Sequence, residues 1–249
     1  MPVARAPRRR LPLLDGVRAV AFDGYGTIFA FSEADFIATF AELLAAQGLE
    51  ADAAELWRHF LRAAYRLRSE NHRRPLYLRF LEAWTRQFED SFRRLGLRGD
   101  ARAAALFVRQ RLSEAMVHPE VPTVLAALAP RYRLALLSNA DDDFLLAALR
   151  RNGLHFDVIV TSERAGALKP DPRIFAALLE RLQMGPEAVL YVGDNPLPDV
   201  LGARRAGLRV AWLDREGRRR RPRRVPAPDL KIRSLLELLP ALGVEGVRG

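Results

Sequence analysis

The sequence predicts an α/β protein, a doubly wound parallel sheet with a helical domain inserted after the first strand. Short apolar runs of strand length occur near residues 17–22, 132–137, 158–160, 188–192 and 208–213, and from His118-Pro119 onward they alternate with helix-length segments. Residues 31–118 show helical periodicity with no strand-like alternation. Polar residues with chemical potential fall where the apolar runs end, which is the edge on which open parallel sheets bind ligands. The expected division is an α/β core of residues 14–30 and 119–249 and a helical domain of residues 31–118.

Val17, Val20, Ala21 and Phe22 have the branching of a short buried strand, and Gly24 and Gly26 permit a tight turn directly after Asp23. Ser32 with Asp35 reads as a capping box, followed by Phe36, Ile37, Phe40, Leu43 and Leu44 at helical spacing up to Gly48. A second helix begins near Asp52, with Leu56, Phe60, Leu61, Ala64 and Leu67 on its apolar face. The third carries Leu78, Leu81, Trp84, Phe88, Phe92 and Leu95 before Gly96 and Gly99, and a fourth runs from about Asp100 to Ala115. Aromatic stripes at this spacing are expected to form core. Then come a helix over 121–128, a strand over 132–137 ending in Ser138-Asn139, and a helix over 141–151 closed by Asn152-Gly153. A strand over 158–160, a loop to Lys169-Pro170 and a helix over 172–182 follow. The strand over 188–192 ends in Gly193-Asp194-Asn195. A short helix to Ala206-Gly207, strands over 208–213 and near 230–232, and a closing helix over 234–242 complete the chain.

The chain of 249 residues is long enough for one large core with an insert. No window approaches about 18 uninterrupted apolar residues, and the segment carrying Arg8, Arg9 and Arg10 lacks the apolar stretch of a secretory signal, so a cytoplasmic protein is expected. The absence of cysteine rules out disulfides and thiolate chemistry and leaves oxygen and nitrogen ligands for any metal. A formal charge of +10 would suit an anionic partner, yet Lys169 and Lys231 are the only lysines and arginine is spread along the chain. The one dense run, Arg218–Arg221 with Arg223 and Arg224, is broken by Pro222 and lacks aromatic stacking partners; it reads as a solvated loop, and nucleic acid is not the expected partner.

A parallel sheet brings Asp23, Ser138, Asn139, Lys169, Asp194 and Asp199 to one edge. A lone strand-end Asp is usually a turn residue, but three carboxylates, a lysine and a hydroxyl together define a site. Two like charges about 4 Å apart repel by about 4 kcal/mol at an effective dielectric near 20, so Asp23, Asp194 and Asp199 require a cation to stay ionised together. Magnesium suits such an oxygen-only site, and Lys169, the Ser138 hydroxyl and backbone amides supply donors to anionic oxygens. This chemistry fits attack by a carboxylate on an electron-poor centre bearing anionic oxygens.

Asp23-Gly-Tyr-Gly-Thr27, Leu137-Ser-Asn139, Leu168-Lys-Pro-Asp171 and Val192-Gly-Asp-Asn195 with Asp199 resemble the four ordered motifs of the haloacid dehalogenase-like (HAD) hydrolase superfamily. The resemblance runs from Val17 to Leu242, and the helical insert is similar to that family's small cap domain on a Rossmann-like core. It implies that Asp23 is the nucleophile, that Tyr25, Thr27 and Asn139 belong to the catalytic set with Thr27 supporting the turn, and that Ser138 and Lys169 hold and neutralise the transferred group. It also implies that magnesium is bound by Asp23, the Tyr25 carbonyl and Asp194, with Asp199 acting directly or through water.

Tyr25 departs from the pattern of the family's phosphatases, which carry a second Asp there as acid and base. A phenol with a pKa of about 10 donates a proton but is a poor base near neutrality. Asp-x-Tyr-Gly-Thr also resembles the metal-independent 2-haloacid dehalogenases, and Leu56-Trp57-Arg58 is similar to a cap segment whose arginine faces the departing halide; on an amphipathic helix Arg58 is otherwise a solvent-facing residue. Asp194 and Phe175 oppose that reading, since the dehalogenases resemble a serine-rich fourth motif and carry a tyrosine at the place of Phe175. The expectation is a magnesium-dependent phosphatase acting on a small phosphorylated metabolite, with a 2-haloacid dehalogenase as the alternative. The resemblance implies that the cap selects the substrate; Arg58 is the substrate-binding candidate, and the sequence leaves open which of Arg58, His59, His72, Arg73 and Arg74 faces the cleft.

Overall fold

A computed structural model describes residues 14–71, 77–217 and 219–244; His72, Arg73, Arg74 and Arg218 lie outside the described residues. Two compact units are present. One holds the described residues up to Ala30, Val117–Asn139 and those from Leu154 onward; the other holds those of Phe31–Met116 together with Ala140–Gly153.

The first unit contains six strands, β1 (Ala19–Phe22), β2 (Arg133–Ser138), β3 (Val158–Thr161), β4 (Val189–Gly193), β5 (Arg209–Leu213) and β6 (Leu230–Ile232), in the order β3-β2-β1-β4-β5-β6. Every pairing is parallel. The near-continuous apolar sequence of the inner strands follows from burial: every residue of β1 and β4 is buried. Phe22 lies opposite Leu136 of β2 and Val192 of β4, so the register brings Asp23, Leu137-Ser138 and Gly193-Asp194 out at one carboxyl edge.

In chain order the helices are α1 (Glu33–Ala46), α2 (Ala53–Asn71), α3 (Phe80–Leu95), α4 (Ala101–Ser113), α5 (Val121–Leu128), α6 (Asp142–Arg151), α7 (Ser162–Ala165), α8 (Pro172–Leu182), α9 (Gly202–Arg205) and α10 (Leu238–Ala241). Ile174, Phe175 and Leu178 of α8 join Ala19, Ala21 and Leu137 of the strands in the buried core. In the second unit the Ser32–Asp35 capping box forms as its sequence predicts. The aromatic stripes of α1, α2 and α3 converge there: the Phe40 ring stands 5.2 Å from both Phe60 and Phe88. Among the described residues no helix is long and apolar enough to cross a membrane.

Four elements differ from the sequence expectation, the first being the short helix α7, capped by Thr161, in place of the expected loop to Lys169-Pro170. Helix α6, expected beside the sheet, belongs to the helical unit, where the Phe144 ring lies 5.5 Å from Trp84 and 6.0 Å from Phe80. Residues 196–201 form a π-helical turn containing Pro196 and Pro198, in which the Val200 N–H reaches back to the Asn195 carbonyl (3.4 Å). The closing helix divides into a 3-10 turn, Leu235–Glu237, and α10; Pro240 has no N–H to continue the ladder.

Phe88 is fully buried and its ring meets Phe40, Phe60 and Phe92. Phe88→Ala is expected to cost about 3–5 kcal/mol of stability, measured as a lowered urea midpoint with circular dichroism.

Candidate active site

Asp23 leaves β1 with its N–H bonded to the Val192 carbonyl (2.8 Å). The Gly24 carbonyl then accepts from the N–H groups of Thr27 (3.3 Å), Ile28 (2.8 Å) and Phe29 (3.0 Å), which folds the chain back in one tight turn. Glycine is needed at two points for the carboxylates to close. Gly26 has φ of 93°, and a Cβ there would lie 2.9 Å from Asp194 Oδ1. A Cβ on Gly193 would lie 2.5 Å from Asp199 Cγ.

Lys169 is 4% exposed, and its ammonium is the hub of the cluster. Nζ donates to Asp23 Oδ1, to Asp199 Oδ1 (2.7 Å) and to the Tyr191 hydroxyl (2.9 Å). Its main chain is fixed by Asn139, whose Oδ1 accepts the Lys169 N–H (2.7 Å) and whose Nδ2 donates to the Lys169 carbonyl (3.3 Å). The Tyr191 hydroxyl has two acceptors in reach, Asp199 Oδ1 (3.1 Å) and the Leu137 carbonyl (3.3 Å).

One oxygen from each of Asp23, Asp194 and Asp199 lies within 4.8 Å of the others. Asp199 is engaged at both oxygens, since Oδ2 accepts the Asn195 N–H (2.9 Å). Asp23 Oδ2 and Asp194 Oδ1 have no hydrogen-bond partner among the described residues. Burial, reinforced by Asp199 and Asp194, outweighs Lys169 and pushes the Asp23 carboxyl up to about 7. Burial and Asp199 likewise raise Asp194, against the pull of Arg219. Burial opposes the Lys169 charge, but Asp199 and Asp23 more than compensate and hold that pKa above the usual lysine value.

The described arginines of the run after β5, Arg219, Arg220, Arg221, Arg223 and Arg224, are exposed, as expected of a solvated loop, but Arg219 also reaches the acidic cluster. Arg219 Nη1 donates to the Asp194 carbonyl (2.9 Å) and to Asp194 Oδ2 (3.0 Å), while Trp212 Nε1 donates to the same carbonyl (3.0 Å). Arg215 donates to the Thr27 carbonyl (3.0 Å) and pairs with Glu120. Arg221 bonds to the Val225 carbonyl. Acceptors at the strand ends recruit these guanidinium groups.

Ser138 is buried at the end of β2, beside Asn139. Tyr25 is half-buried, with its ring 5.1 Å from Phe29. Thr27 joins the turn through its main chain, and its buried hydroxyl has no partner among the described residues. Arg58 is exposed on α2 of the helical unit, where Nε donates to the Ala54 carbonyl (3.3 Å). Sequence reasoning missed Tyr191, Arg215 and Arg219. A tyrosine in an otherwise apolar strand was a signal, because a buried hydroxyl requires a partner; the arginines gave none among so many.

The donor set fits a hard divalent cation. It is all oxygen, two carboxylate oxygens on different strand ends are open, and the turn approaches Asp194 where a side chain at position 26 would intrude.

A parallel α/β sheet with a lysine-paired carboxylate after its first strand and further acids after its fourth describes a class of hydrolases. Residues 17–207 match the family model described as haloacid dehalogenase-like hydrolase, and the chain belongs to that family. The chain is 39% identical to a phosphoserine phosphatase of Thermus thermophilus over 138 residues, which span 54% of this chain and 54% of the relative. It is 31% identical to an (S)-2-haloacid dehalogenase of a Pseudomonas species over 82% of this chain and 85% of that one. The solved L-2-haloacid dehalogenase of Xanthobacter autotrophicus superposes with a TM-score of 0.73 at 26% identity, covering 91% of this chain and 98% of that chain.

The raised pKa of Asp23 makes stability depend on pH. Between about pH 4 and 7 the folded carboxyl keeps a proton that the unfolded one has lost, so this group's contribution falls as pH rises through that window and its penalty is complete above about 7. In metal-free buffer Asp23→Asn is therefore expected to stabilise the protein by a few kcal/mol at pH 8, a gain that vanishes towards pH 4. Thermal unfolding across that range measures it.

Proposed function

We propose that this hydrolase is a magnesium-dependent phosphatase of small phosphorylated metabolites, with Asp23 as nucleophile. The observation that carries this reading is the pair of open oxygens on Asp23 and Asp194 in a cluster with excess negative charge. Three carboxylates face two cations, Lys169 and Arg219, and the remaining charge repels any anionic substrate until a dication reverses its sign. Asp23, the Tyr25 carbonyl and Asp194 would hold the ion, with Asp199 behind them through water. When bound, magnesium supplies positive charge for the carboxylates and the phosphoryl oxygens.

In this mechanism an Asp23 carboxylate oxygen bonds to phosphorus and the bond to the leaving oxygen breaks. The Tyr25 phenol gives that oxygen its proton; water then attacks the phosphorus of the acyl phosphate, its proton passing to the Tyr25 phenolate, and the bond to Asp23 breaks, releasing phosphate and restoring both Asp23 and the phenol. Lys169 holds the Asp23 carboxylate and neutralises charge at the phosphoryl group, while the Ser138 hydroxyl donates to its oxygens. Asn139 orients Lys169 through the main chain.

Dehalogenation is the second reading, favoured by Tyr25, by the relation to (S)-2-haloacid dehalogenases, and by Arg219, which already pairs with Asp194. There Asp23 displaces halide from carbon and water hydrolyses the ester.

Phosphate and halide release from matched panels, with and without EDTA, separates the two. The phosphatase reading expects phosphate release abolished by EDTA and reduced about a thousandfold or more in Asp23→Asn; EDTA-resistant halide release alone would replace it. Because a phenol is a weaker acid than a carboxylic acid, aryl and acyl phosphates are expected to show higher kcat/KM than alkyl monoesters, and equal kcat/KM values across these substrates would remove Tyr25 from the acid role.

A further inference from the structure

The loop after β5 is built to deliver one guanidinium to Asp194. Asp214, at the end of β5, is buried, and its Oδ2 accepts the Arg219 N–H (3.1 Å) and the Lys231 ammonium (2.8 Å). Lys231 Nζ also donates to the Arg219 carbonyl (3.3 Å) and sits 4.5 Å from the centre of the Trp212 ring. The main chain of Arg219 is thereby held at both its N–H and its carbonyl. Its side chain is 53% exposed and ends on Asp194, with Nη1 shared between carbonyl and carboxylate.

We propose that Arg219 is an internal counter-cation that competes with divalent metal for Asp194, so that the protein binds the metal more weakly than its carboxylates alone would allow. The inference rests on the metal-dependent reading above. A dication bound by Asp194 shares that carboxylate with a guanidinium that cannot shed its proton. Lys169 cannot yield, because it is buried and its three N–H groups serve Asp23, Asp199 and Tyr191. Relief comes only from Arg219 turning into solvent, which its exposure permits. Metal binding and release of the Arg219 side chain are therefore coupled, and the coupling is reciprocal.

The test is calorimetric titration of magnesium chloride into the full chain after removal of metal with EDTA, comparing the unaltered protein with Arg219→Ala and Arg219→Gln. Both variants lack the charge, and the second keeps a polar side chain should the first fail to fold. The expected result is about tenfold tighter magnesium binding in either variant, with competition weakening as sodium chloride is raised. Equal or weaker affinity in the folded variants overturns the proposal and leaves the metal site standing. Absence of magnesium binding in the unaltered protein and in both variants overturns the metal-dependent reading as well.

Discussion

A buried ammonium holds the acidic edge of the sheet together. Lys169 is anchored through its backbone by Asn139 after β2, and its side chain meets Asp23 after β1, Tyr191 within β4 and Asp199 beyond β4. Removing the lysine would leave buried acids without their shared cation, a loss on the order of 3–5 kcal/mol, whereas losing Asp23 leaves Lys169 still paired with Asp199. Strand register sets where the acids emerge, and the lysine makes their proximity tolerable. The open glycine positions 26 and 193 allow the remaining approach.

The cluster is still short of positive charge. A raised Asp23 pKa, a hydrogen-bonded guanidinium on Asp194 and the divalent cation proposed above are three answers to one electrostatic deficit. They are alternatives in part, since each diminishes the need for the others. That relation ties the reading of the site as a metal-dependent phosphatase to a loop which, by sequence, looked like surface charge.

Much of the sheet was legible because buried parallel strands are short continuous apolar runs, and the acids that end them stand out against that background. Helix α6 was not assigned to its unit, because an apolar face carrying Phe144 and Leu145 suits a sheet or another helix equally. The turn after β4 needed knowledge of how Pro196 and Pro198 redirect hydrogen bonds. Asp23, Lys169 and Asp194 could be named from position alone. Tyr191 lay hidden in an apolar strand, and Arg215 and Arg219 were masked by the abundance of arginine, whose individual destinations depend on acceptors supplied by distant segments.

That same abundance has a practical side. With arginine carrying nearly all the positive charge, the chain has just two lysines: Lys169 beside Asp23, and Lys231 against Trp212 and Asp214. Isotopic labelling of lysine side chains would give a nuclear magnetic resonance spectrum of two ammonium signals. One would report the charge state of the acidic cluster and the other the loop that carries Arg219, with no further assignment than a single substitution.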